Sequence, residues 1–254
     1  MSIQHVKDET VESDVEQGNG AGEAGAPFPL YTYILLGCIA LVFVAQFLTS
    51  QDPEFISVDR YSAMVAGFDK SKFLHGNEYW LILTGATLHS GILHVLMNSY
   101  ALFNLGRLME LLSNRAHLAI VFILSAIGGG LLSLIFNPTV TSVGASGGII
   151  GFLSYLAVYA FKRRKFIAPE FRKSLLVNIG FILVFGLVLH NIVDNFAHLG
   201  GLLVGAVYGY LQIPSDEYVD PRVSGAVTRV IGVAALASYI LTSILTILLL
   251  FNAR

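Results

Sequence analysis

Ser146 stands in the run Gly144-Ala145-Ser146-Gly147, and neighbours this small leave its hydroxyl open to whatever approaches. Glycine on either side lets a backbone or a ligand come close. A helix opening here would aim its unpaired first-turn N–H groups at the same hydroxyl, where a developing negative charge can be held. Two further stretches supply the partners such a hydroxyl needs: His94-Val95-Leu96-Met97-Asn98 and Ala197-His198-Leu199-Gly200-Gly201. His198 is a candidate base for Ser146, which is the nucleophilic arrangement of acyl transfer. His94 and Asn98 lie four residues apart and share a helical face. Both can donate hydrogen bonds to the oxyanion of a tetrahedral intermediate, beside the backbone N–H of Ser146. Taken singly, the glycines are ordinary helix packing and the His–Asn pair an interhelical hydrogen bond. The combination is what points to chemistry.

The elements that must position these residues are membrane helices. Of the 254 residues, 55% are hydrophobic and only 13% charged, an unusual ratio for a soluble domain. A bilayer span needs roughly 20 predominantly apolar residues. Seven blocks meet or approach this length: 30–49, 92–112, 116–136, 146–161, 174–190, 195–213 and 228–251. The formal charge of −2 gives no reason to expect nucleic acid. The single cysteine, Cys38, excludes an intrachain disulfide and a thiolate metal site.

Basic residues set the expected orientation. With the N-terminus in the cytoplasm, most Lys and Arg fall on the inner side, above all the run Lys162, Arg163, Arg164 and Lys165. The C-terminus then lies outside, and the plasma membrane is the expected location. The second, fourth and sixth spans run from outside to inside. His94, Asn98, Ser146 and His198 therefore arrive at a similar depth near the outer face. Polar groups at membrane depth are costly unless paired or hydrated, so they are functional candidates. On the sixth span Gly201, Gly205 and Gly209 share a face with His198, and Gly147 and Gly151 make a similar pair beside Ser146. Close approach along these glycines would bring the imidazole to the serine.

The division along the chain follows. Residues 1–29 form an acidic tail, expected to be disordered and cytoplasmic, without the apolar core of a signal peptide. Residues 30–213 form a six-helix core with an external loop at 50–91 that mixes charges with Phe55, Phe68, Phe73, Tyr79 and Trp80 and is expected to be partly embedded. Residues 214–254 hold a linker with Pro214 and Pro221 and a seventh membrane helix. His75, His117 and His190 read as surface or loop residues. Convergence of His89, His94 and His198 on zinc is the weaker alternative, because no HExxH or similar ligand spacing is present. Asp194, four residues before His198, reads as the N-cap of its helix rather than as a third catalytic member.

The three motifs, in this order, resemble those of the rhomboid family of intramembrane serine proteases. Gly106 and Glu110 also fit the family's pattern. The resemblance covers about 50–213, and the last helix fits the six-plus-one arrangement of many members. It implies an all-α polytopic membrane protein with a six-helix core plus one C-terminal transmembrane helix. It implies a Ser–His dyad, with Ser146 as nucleophile and His198 as general base and acid, and His94 and Asn98 at the oxyanion. The implied activity is endopeptidase cleavage of single-span membrane proteins in or near the span. The alternative is a catalytically idle relative that binds membrane clients. The implied partners are single-span substrates and the lipid bilayer, with no nucleic acid and no metal or organic cofactor. Two positions depart from the family's pattern: Ile150 where Tyr or Phe is common, and Leu81 after Trp80 where Arg is frequent.

Overall fold

The computed structural model describes residues 28–50, 60–216 and 218–253. Among them are seven long helices: α1 (Leu30–Thr49), α5 (Ile92–Leu112), α6 (Arg115–Phe136), α7 (Ser146–Lys162), α8 (Pro169–Val188), α9 (Asn195–Gln212) and α10 (Ala226–Asn252). They coincide with the seven apolar blocks of the sequence to within a few residues. The protein is an all-helical, multi-pass membrane protein. The acidic tail lies outside the described residues apart from Phe28 and Pro29.

By length and composition, α1, α6, α8 and α10 each suffice to cross a bilayer. Leu81–Thr87 and α5 are long and apolar enough only when taken together, and they meet at 93°, as a broken span or a re-entrant loop does. α7 has only 17 residues, about 25 Å of helix at 1.5 Å per residue, which is less than the hydrocarbon thickness. A helix apolar all round belongs inside a bundle, and thirteen of these 17 residues are buried. α7 is thus the central post, packed between α6 and α9, and Ser146 is its first residue.

α6 and α9 flank α7, and α10 packs on α1 and α6. α5 buries Val95, Asn98, Leu102, Gly106 and Met109, a stripe at helical spacing, while Leu93 and Tyr100 on its other side are exposed to the surroundings. α8 starts at Pro169, whose fixed φ suits a first helical position. It buries only Leu175 and Gly186 and is the most peripheral of the set.

The segment before α5 is folded back onto the bundle. It contains α2 (Arg60–Ala66), α3 (Lys70–His75), α4 (Leu81–Thr84) and a 3-10 turn at Gly85–Thr87. Phe73 stacks edge-on against both Phe68 and Tyr79. The Tyr239 hydroxyl of α10 donates to the Ala86 carbonyl at 3.3 Å, and Thr87 bonds Thr246 at 3.0 Å. These contacts hold the bend whose next residues lead to His94.

At the opposite end, the buried Glu110 takes two bonds from Thr32, to its N–H and its hydroxyl, both at 2.8 Å, and one from Arg115 at 3.2 Å. A Cβ on Gly106 would stand 2.6 Å from the Thr32 hydroxyl. Gly106 and Glu110 therefore form the joint between α1 and α5, remote from the serine motif.

Candidate active site

The turn that carries Ser146 depends on Gly144. Gly144 has φ +127°, a conformation that favours glycine. Its N–H bonds the Gly85 carbonyl at 2.9 Å, which ties the turn to the bent segment. A Cβ there would also strike His94, 2.8 Å from Cε1 and 3.0 Å from Nε2. Gly144 thus permits both the turn and the approach of the imidazole. α7 begins at Ser146, and its first backbone bond runs from the Ile149 N–H to the Ala145 carbonyl. The N–H groups of Ser146, Gly147 and Gly148 therefore have no acceptor within the helix. Ala145 at the cap offers no side-chain oxygen to them. The positive end of the helix stays available beside the Ser146 hydroxyl.

His198 Nε2 lies 2.9 Å from Ser146 Oγ. Glycine contacts produce this closeness. A Cβ on Gly201 would stand 2.2 Å from the Gly147 carbonyl oxygen, and one on Gly205 2.1 Å from that of Gly151. α7 and α9 touch backbone to backbone, which no larger residue permits. The other side of α9 is equally tight: a Cβ on Gly200 would lie 2.5 Å from the Gly128 carbonyl oxygen, and one on Gly129 2.5 Å from that of Ala197. The α7–α9 stripe was legible in the sequence. The seat that Gly128 and Gly129 provide has a single sequence signal, the run Gly128-Gly129-Gly130 inside an apolar block, which does not say what packs there.

His198 Nδ1 is buried and has no hydrogen-bond partner among the described residues. Asp194 does not reach it. Its Oδ1 accepts the Ala197 N–H at 3.0 Å, which makes it the N-cap of α9, and its Oδ2 is occupied by the Ser133 and Ser142 hydroxyls. Ser146 and His198 therefore form a pair without a carboxylate on the imidazole.

His94 is held by Ser90, which turns both its backbone N–H (3.3 Å) and its hydroxyl (2.9 Å) toward Nδ1. A backbone N–H can only donate, so Nδ1 is the acceptor and a neutral ring carries its proton on Nε2. That N–H lies on the side of the ring facing Gly144. One turn further along α5, the Asn98 Nδ2 is buried without an acceptor among the described residues. A buried amide donor left open costs free energy unless something else accepts from it. His89 stacks edge-on against His94 with centroids 5.1 Å apart, and its backbone N–H and carbonyl are both bonded by Gln46 of α1 at 3.0 Å. Among the described residues no group of three His, Cys, Asp or Glu side chains comes together as a metal site would require. Ile150 and Leu81, the two departures from the family's pattern, are both buried and apolar.

One sequence expectation is corrected. His117 is not a surface residue but fully buried. Its Nδ1 bonds the Tyr208 hydroxyl at 2.8 Å and its Nε2 the Gln212 amide at 2.7 Å. Gln212 accepts from Tyr155 at 3.4 Å, and Tyr155 bonds Ser113 at 2.8 Å. This chain of polar side chains joins α6, α7 and α9 at the end away from Ser146. Partners from distant segments satisfy the imidazole, and the sequence around His117 carries no trace of them.

A family model described as Rhomboid domain matches residues 76–215, which include all four residues singled out above. Among relatives, RHOMBOID-like protein 1 of Arabidopsis thaliana is 32% identical over 168 residues, covering 65% of this chain and 42% of that protein. Rhomboid protease GluP of Bacillus subtilis is 29% identical over 177 residues, covering 70% and 34%. Inactive rhomboid protein 1 of Papio anubis is 31% identical over 140 residues, covering 54% and 16%. The chain spans less than half the length of each.

Proposed function

Because the chain belongs to the rhomboid family, we propose that it is an intramembrane serine endopeptidase that cuts single-span membrane proteins in or near their membrane segment. The observation that carries this reading is the 2.9 Å contact between Ser146 Oγ and His198 Nε2 at the start of a short, central helix. In this reading the Ser146 oxygen attacks the scissile carbonyl carbon while His198 Nε2 takes the hydroxyl proton. The oxyanion is received by the His94 Nε2–H, the Asn98 amide and the backbone N–H of Ser146. The C–N bond then breaks, and His198 returns the proton to the leaving amine. Water, deprotonated by the same nitrogen, releases the acyl group as a carboxylic acid and restores Ser146.

A peptide bond inside an intact helix is shielded, so cleavage favours a substrate segment that unwinds, after a small residue as the family resemblance implies. In this reading the N-terminus lies in the cytoplasm and the C-terminus outside, with the site opening outward at the plasma membrane; the excess of Lys and Arg in the inner loops supports it.

The competing reading is an idle binder of membrane clients, favoured by the similarity to a relative named as inactive. A fluorophosphonate probe separates the two. Labelling that Ser146→Ala and His198→Ala each abolish supports the protease. Equal absence of labelling and of reporter cleavage in the parent and both variants supports the binder.

A further inference from the structure

Several polar groups near the serine have no part in the proposed chemistry, and they converge on Asp194. Ser142 lies four residues before Ser146, in the nucleophile turn, and Asp194 four residues before His198, at the start of α9. The Ser142 hydroxyl donates to Asp194 Oδ2, and so does the Ser133 hydroxyl of α6, at 2.5 Å. Ser142 in turn accepts from Lys70 Nζ, which also bonds the Val140 carbonyl. Lys70 opens α3 yet is only 2% exposed. Its ammonium sits 5.1 Å from the centre of the Phe68 ring. Phe68 and Ser142 exchange backbone bonds, N–H to carbonyl at 2.9 Å and back at 3.2 Å.

We propose that Lys70, Ser142 and Asp194 form a positioning link that holds the turn carrying Ser146 in register with the helix end carrying His198. The direction of the bonds argues for it. Lys70 can only donate, so Ser142 accepts from it and passes its own proton toward Asp194. Two hydroxyls donate to one Asp194 oxygen, which calls for a carboxylate there. Burial draws the Lys70 ammonium below its ordinary range, and Asp194, then Asp69, oppose that fall. A simple helix cap would need only Oδ1. Asp194 serves the cap with Oδ1 and the turn with Oδ2, so one side chain touches both halves of the candidate site. The catalytic consequence of the link rests on the protease reading; the link itself does not.

The effect of substitution follows from charge. Asp194→Asn keeps the oxygen that caps Ala197, but its amide N–H groups would face two hydroxyls that now donate, and Lys70 loses its counter-charge. Lys70→Met leaves the carboxylate without its distant cation. Removing one member of a buried charge pair is costly, whereas removing both is often tolerated.

The test uses the full chain in detergent with Asp194→Asn, Lys70→Met and the double variant. Two quantities are read: amide hydrogen exchange at Ser142 and Gly144, bonded to Phe68 and Gly85 respectively, and the rate of Ser146-dependent fluorophosphonate labelling. Each single variant should speed exchange and slow labelling by about tenfold, and the double variant should recover most of both, as coupled neighbours do. Asp194→Asn behaving like the parent in both readouts overturns the link, as do losses that simply add in the double variant. Coupled exchange with unchanged labelling, in a parent that labels, overturns the positioning role. A parent that never labels defeats the protease reading, and the exchange cycle then judges the link alone.

Discussion

Gly201 rests its Cα on the backbone of Gly147, so that a methyl group at Gly201 would stand 2.2 Å from the Gly147 carbonyl oxygen. No side chain can yield there, because the obstacle is main chain. Gly201→Ala should push α9 from α7, costing about 1–3 kcal/mol as overpacked cores do. It should also lengthen the path from His198 to Ser146. Thermal unfolding and reporter cleavage measured together check this. Native stability with full turnover would show that the two helices slide freely.

Ser90 should control which nitrogen of His94 carries the proton. Ser90→Ala removes the 2.9 Å hydroxyl contact but keeps the backbone N–H. The expected outcome is a lower kcat at little-changed KM, smaller than the ~10²–10³ loss for removing an oxyanion donor outright. His94→Ala should show that full loss. A rise in KM with kcat unchanged in both variants would assign His94 to substrate binding instead.

The polar chain through His117 should matter for folding and not for turnover. Tyr208→Phe removes the bond to His117 Nδ1 and leaves a buried donor or acceptor open, a cost of about 1–3 kcal/mol. Specific activity per folded molecule should hold, since this chain lies at the far end of α6, α7 and α9. A large kcat loss in a stably folded Tyr208→Phe protein would link the two ends.

Orientation is measurable without activity. In a Cys38→Ser background, single cysteines at His75 and at Arg164, both exposed positions, should differ. The first should react with an impermeant thiol reagent from outside, and the second only after the membrane is opened. The opposite pattern would turn the proposed site toward the cytoplasm.

The seven helices were legible because each depends on a local quantity, the density of apolar residues over a span-length window. The motifs were legible because polar residues in such windows are conspicuous. Helical spacing alone also put His198 on a face with Gly201, Gly205 and Gly209, and this is the face that meets α7. Asp194 was legible as a cap, since capping is decided within three residues.

Only the tertiary structure decided the rest. The fit of Gly128 and Gly129 against α9, the burial of His117, the 93° bend before α5 and the second use of Asp194 all depend on segments brought together from far apart in the chain. A glycine in an apolar block reads the same whether its missing side chain admits another backbone or only lipid. A carboxylate that caps a helix reads the same whether its second oxygen meets water or a buried serine. The local sequence sets which groups each helix presents. Which of them meet is set by how the helices pack, because contact energies are summed over the whole bundle and written in no single stretch.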